Sequence, residues 1–142
     1  MTSAMEMHDS YLREIRCSED GRGYAVFHGS VFRSSGEVFK DAQESGWQDI
    51  RFDFEGMRIE GEIVDLTDAP YASDGNLWVN GKNENGVIHL PANHSGLICL
   101  EMRLNPSFDW LKIHATKVTS SSHGELKVDT LWDAIGNTTP VG

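Results

Sequence analysis

The sequence predicts an all-β domain: an antiparallel β-sandwich, jelly-roll-like, with about nine strands. Apolar residues recur with period two through most of the chain, and turn-forming residues interrupt that rhythm at short intervals. Length adds a third observation, because 142 residues suit one domain around one core. The expected domain spans residues 1–135, and the tail GNTTPVG (136–142) has nothing to bury and is expected to be flexible.

The first expected strand is YLREIRC (11–17), which ends at the turn SEDGRG, and the second is YAVFHGSVF (24–32). Between the second and third strands, Ser34, Glu37 and Gly46 have the spacing of a capping box and a C-terminal stop. They predict one short helix near 36–45. WQDIRFDF (47–54) alternates most clearly, with Ile50, Phe52 and Phe54 inward and Trp47, Asp49, Arg51 and Asp53 outward. MRIEGEIVDL (57–66) is read with Met57, Ile59 and Ile63 on a buried face.

NLWVNG and GVIHLP flank a turn-rich stretch and predict a hairpin with a loop of several residues. Three strands follow: LICLEMRL (97–104), WLKIHATKV (110–118) and ELKVDTLW (125–132). The predicted core is Phe52, Phe54, Ile59, Ile98, Leu100, Leu111, Ile113 and Val128, with Trp132 on the apolar parity of its strand.

Composition narrows function before any motif does. Lys and Arg total 12 against 22 Asp and Glu, a formal charge of −10 that repels phosphate backbones and anionic lipid. Neither nucleic acid nor membrane is expected as a partner, whereas a basic protein fits. The start of the chain lacks the basic and apolar regions of a secretion signal. No run approaches the roughly 18 apolar residues that cross a bilayer. With Cys17 and Cys99 the only cysteines, the expectation is a cytoplasmic protein with two reduced, largely buried thiols.

Motifs of chemistry are sparse. There is no Gly-x-Ser-x-Gly elbow, no Cys-x-x-Cys pair, no His-Glu-x-x-His and no phosphate-cradling glycine loop before a helix. HGE at His123 is only half of a zinc-deaminase signature. His8, His28, His89, His94, His114 and His123 are scattered, so a metal site would need distant strands to assemble it. The expectation is therefore no catalytic residue, no metal ligand and no cofactor.

The stretch HDSYLREIRC (8–17) places a histidine, an aspartate and a serine side by side. Asp9 is expected to accept backbone hydrogen bonds at a strand start, and His8 to pack against a sheet edge. The stretch resembles the His-Asp-[Ser/Ala]-x-[Leu/Ile] opening of small bacterial all-β proteins, some of them similar to immunity proteins of contact-dependent toxin systems. That resemblance covers His8 to Cys17 and implies a bacterial cytoplasmic β-domain without known catalysis.

Three of the four tryptophans stand on polar strand faces. Trp47 shares parity with Asp49, Trp78 with Asn76 and Asn80, and Trp110 with Lys112 and His114. Flat rings beside polar side chains suit sugar stacking or a protein hot spot. The candidate ligand-binding residues are accordingly Trp47, Asp49, Trp78, Asn80, Trp110 and His114. The expected function is a non-enzymatic binding or interaction domain for a protein or sugar ligand, with a homodimer possible through unpaired strand edges. Three rivals accompany it: a carbohydrate-binding module, an immunity-type protein that binds a basic toxin, and a metal-dependent enzyme assembled across strands.

Overall fold

The period-two pattern becomes ten antiparallel strands in a computed structural model, which describes residues 2–36, 42–63, 65–133 and 137–141. The strands are β1 (Thr2–Cys17), β2 (Gly23–Ser34), β3 (Ala42–Glu55), β4 (Arg58–Glu60) and β5 (Tyr71–Val79). They continue as β6 (Lys82–Asn83), β7 (Val87–Leu90), β8 (Asn93–Asn105), β9 (Asp109–Trp132) and β10 (Thr138–Pro140). All lie in one sheet of order β6-β5-β8-β9-β3-β2-β1-β7, with β4 and β10 both on β9. The fold is all-β and sandwich-like, as expected.

The packed layers belong to one sheet that curls back on itself. β5 also pairs with β1, through Tyr11 opposite Tyr71, and the Leu12 amide donates to the Pro70 carbonyl at 3.0 Å. β1, β2, β3, β9, β8 and β5 therefore form a ring, and the short β6 and β7 lie at the ends of the sheet path. Closure satisfies edges that would otherwise invite pairing with another chain.

The ring interior is the core. Phe27, Phe52, Met5, Met7, Leu12, Ile50, Leu100, Met102, Leu111 and Ile113 are among its buried residues. Of the predicted core, Phe52, Phe54, Ile98, Leu100, Leu111 and Ile113 are buried, while Ile59 and Val128 pack half-buried against its margin. Trp132 is also half-buried; its indole N–H donates to Ser45 Oγ at 3.0 Å.

Several local expectations are corrected. Ser34 and Gly46, expected to cap a helix, are ladder residues: Ser34 lies opposite Ala42, and Gly46 lies opposite Val31. Pairing along β2 and β3 outweighs the capping pattern there; residues 37–41 of the expected helix lie outside the described residues. Ile63 is 47% exposed rather than buried. The chain leaves β9 at Gly61 (φ 106°), and a single 3-10 turn at Leu66–Asp68, capped by Asp65, carries it away.

The expected hairpin is also rearranged. Asn80 and Gly81, both at positive φ, make a two-residue turn from β5 into β6, while β7 crosses to β1. That is the backbone an Asn-Gly dipeptide favours. WLKIHATKV and ELKVDTLW fuse into the single strand β9, because Ser120–His123 pair with Phe52, Arg51, Ile50 and Asp49 of β3. In the expected tail, Thr138–Pro140 pair with Trp132, Leu131 and Thr130. Cys17 and Cys99 are both free, but Cys17 is exposed and Cys99 only half-buried. No helix is long and apolar enough to cross a membrane among the described residues.

Candidate functional site

The outward parity of six strands assembles a row of polar and aromatic side chains that no single segment displays. Asn105 of β8 lies opposite Tyr71 of β5, Tyr71 opposite Tyr11 of β1, and Tyr11 opposite His28 of β2. His28 then faces Asp49 of β3, and Asp49 faces His123 of β9. Directly opposed side chains of antiparallel strands have Cβ atoms about 5 Å apart, so neighbours in such a row touch.

The contacts follow that register. His28 Nδ1 lies 2.9 Å from Asp49 Oδ1. Trp47 stacks on the His28 ring, with centroids 5.2 Å apart and planes 9° from parallel. Tyr11 contacts Trp47 at 5.9 Å and Tyr71 edge-on at 5.9 Å. At the two flanks, the Trp47 indole N–H donates to Asp129 Oδ2 at 3.1 Å, and Asn105 Nδ2 donates to the Tyr71 hydroxyl at 2.6 Å. The result is a continuous aromatic strip, Tyr71–Tyr11–Trp47–His28, bordered by the carboxylates of Asp49 and Asp129. Asp49 is 54% exposed, so its charge is available to solvent or to a partner.

A bulge in β1 positions the strip. Glu6 pairs with Ser30 and Tyr11 with His28, so four residues of β1 stand against one of β2. Those four include His8, Asp9 and Ser10, and Asp9 has φ 71°. The conformation turns Ser10 inward, where its hydroxyl donates to the Glu6 carbonyl at 2.6 Å and accepts from the Ser30 amide at 3.0 Å. His8 and Asp9 are exposed and pair with each other, at 3.1 Å. HDS therefore marks a bulge in mid-strand, not a strand start. Before it β1 pairs with β7, and after it with β5, which brings Tyr11 against Tyr71. Burial raises the Glu6 carboxyl above the usual carboxylate range, with His8 opposing and Asp9 reinforcing the shift.

The structure divides the sequence-predicted site residues. Trp47 and Asp49 belong to the strip. Trp78 and His114 lie elsewhere on the sheet, aligned through Cys99, which faces both. They line a shallow concavity of about 300 Å³ with Arg58 and Leu97. Lys127, opposite Trp47, and His114 are thirteen residues apart on β9, on the order of 40 Å along an extended strand. The Trp78 indole N–H is committed to Glu101 at 3.0 Å, and His114 Nε2 lies 3.1 Å from Glu60. Burial also raises the Cys99 thiol there, with Glu101 adding to the effect.

Asn80 serves the fold. Its side-chain oxygen accepts from the Leu97 amide at 2.9 Å, while its amide group donates to the Ser95 carbonyl at 3.4 Å. Trp110 is 39% exposed and sits opposite Arg103 at the far end of the β8–β9 ladder. Among the described residues, no group of three His, Cys, Asp or Glu side chains converges as metal ligands would.

Sequence reasoning missed Tyr11, His28, Tyr71 and Asp129. His28 shares outward parity with Tyr24 and Val26 in YAVFHGSVF and was within reach of a pattern argument. Tyr71 was not, because its meeting with Tyr11 depends on closure of the ring. No family model, curated protein or solved structure matches the chain.

Proposed function

We propose that this chain is a non-enzymatic binding domain that recognises a basic protein through the Tyr71–Tyr11–Trp47–His28 strip and its flanking carboxylates. The carrying observation is the strip itself: fixed aromatic rings on an outer strand face, with Asp49 and Asp129 at the border. Tyrosine and tryptophan supply contact area at little conformational cost, and they dominate binding energy at many interfaces. Arginine and lysine of a partner would stack on the rings and pair with the carboxylates. A charge of −10 speeds the encounter with such a partner.

The test is variant-dependent capture from a lysate of the organism that carries the gene. The natural chain is expected to retain a basic protein at low ionic strength and release it at high salt. Trp47→Phe, which keeps a ring in place, should retain more of that protein than Trp47→Ala or Asp49→Asn. Undiminished retention by both of the latter variants overturns the assignment, as does a captured protein that is not basic.

A sugar-binding reading is favoured by one other observation, the concavity beside Trp78 and His114. Quenching of tryptophan fluorescence by an oligosaccharide, lost in His114→Ala, would move the site there.

A further inference from the structure

A concentration of positive charge lies at the other end of the same outer face. Three arginines and a lysine, Arg16, Arg22, Arg51 and Lys117, line a concavity of about 520 Å³. They are four of only 12 basic residues in a chain with 22 acidic ones, so their convergence runs against the charge of the molecule. Asp53 and Glu55 also line it, but each has a cation already. Arg51 Nε bonds Asp53 at 3.0 Å, and Lys117 Nζ lies 3.9 Å from Glu55. Among the described residues, no carboxylate pairs with the side chain of Arg16 or Arg22.

Arg51 and the backbone that carries Arg16 and Arg22 are held in place. Arg51 packs its guanidinium 4.0 Å from the centre of the Tyr24 ring, which fixes its plane. Arg22 projects from a turn closed by the Ser18 amide on the Arg22 carbonyl (2.8 Å) and the Gly21 amide on Ser18 (3.0 Å). The Met57 amide on the Gly21 carbonyl, at 2.7 Å, pins that turn to the chain beyond β3. Gly23 completes the wall, since a Cβ there would strike the Arg16 carbonyl and Met57 Sδ. Arg16 extends from the end of β1 opposite Tyr24. Arg16 and Arg22, with no carboxylate partner among the described residues, can take up a phosphate through paired N–H donors, which a carboxylate of one charge would satisfy less fully.

We propose that this concavity binds a small phosphate-bearing ligand, held by the guanidinium groups of Arg16 and Arg22, while Arg51 and Lys117 offset the Asp53 and Glu55 carboxylates beside it. It is independent of the aromatic strip, from which it is separated along β2 by the four-residue step between His28 and Tyr24.

The experiment uses inorganic pyrophosphate, titrated into the full chain at constant ionic strength and followed by calorimetry and by amide chemical shifts. Saturable binding is expected, with shifts concentrated at residues 16, 22–24, 51–55 and 117–119. Arg16→Ala and Arg22→Ala, at exposed positions, should each weaken it at least tenfold while leaving the ligand-free melting temperature in place. Shifts scattered over the surface, or unchanged affinity in both variants, overturn the site. The shift map of the natural chain decides the matter even where a variant fails to fold. Equal affinity for citrate would overturn the phosphate assignment.

Discussion

Ser10 shows how one hydroxyl organises the region around the aromatic strip. It is fully buried and satisfies both the Glu6 carbonyl and the Ser30 amide, so its removal leaves two backbone groups of the bulge without those partners. Ser10→Ala is expected to cost about 1–3 kcal/mol, the penalty of leaving buried polar groups unpaired. His8→Ala, on the exposed side of the same bulge, should change stability by less than about 0.5 kcal/mol. Denaturant unfolding of the two variants checks this, and equal losses would contradict it. Glu6 offers a test of pH. Its folded-state pKa lies above its unfolded value because burial disfavours the charge. The unfolded chain therefore ionises first as pH rises, and the folded state loses ground through that interval and keeps the full penalty above it. Glu6→Gln should gain melting temperature relative to the natural protein between pH 4 and pH 7. A gap that narrows over that range would reverse the sign of the argument.

At the scale of elements, the inward parities of β3, β8 and the first half of β9 were legible because residues 50–54, 100–104 and 111–115 each alternate apolar and polar side chains. Leu100→Ala is accordingly expected to cost about 2–5 kcal/mol, the range for a large side chain removed from a packed core. Ile63→Ala, although assigned to a buried face by the same alternation, should cost under about 0.5 kcal/mol because Ile63 is exposed. Thermal melts of the pair separate packed from nominal apolar positions. What pattern could not supply was partner choice. SSSHG has the composition of a turn, yet β3 pairs with Ser120–His123 and holds them extended, the irregularity falling at Gly124 just beyond. Ser34 and Gly46 carry helix punctuation inside strands for the same reason. Half of the site was readable as the outward parity of Trp47 and Asp49. The other half needed the bulge in β1 and the β1–β5 seam, which are properties of the closed ring.

Across the whole molecule, the outer face formed by β1, β2, β3 and β9 is polarised, aromatic and acidic at one end and guanidinium-rich at the other. The ring that supports it is least continuous at the β1–β5 seam, where Tyr11 and Tyr71 are the paired residues. Native-state hydrogen exchange should find the Leu12 amide, bonded to Pro70 across the seam, less protected than the amides of Ile50 and Phe52. Equal protection would show that the ring opens only as a unit. β9 has a different consequence, one of timing. β3 ends at Glu55, but its second partner is the stretch from Lys117 to Leu131, which a ribosome reaches only after more than sixty further residues. At about 5–20 residues per second, the far edge of β3 waits for several seconds with its ladder groups unpaired. During that wait it carries Glu44, Asp49, Asp53 and Glu55, so two nascent chains meeting edge to edge bring like charges together. The acidity on which the proposed recognition of a basic partner rests also sets unfinished copies against one another.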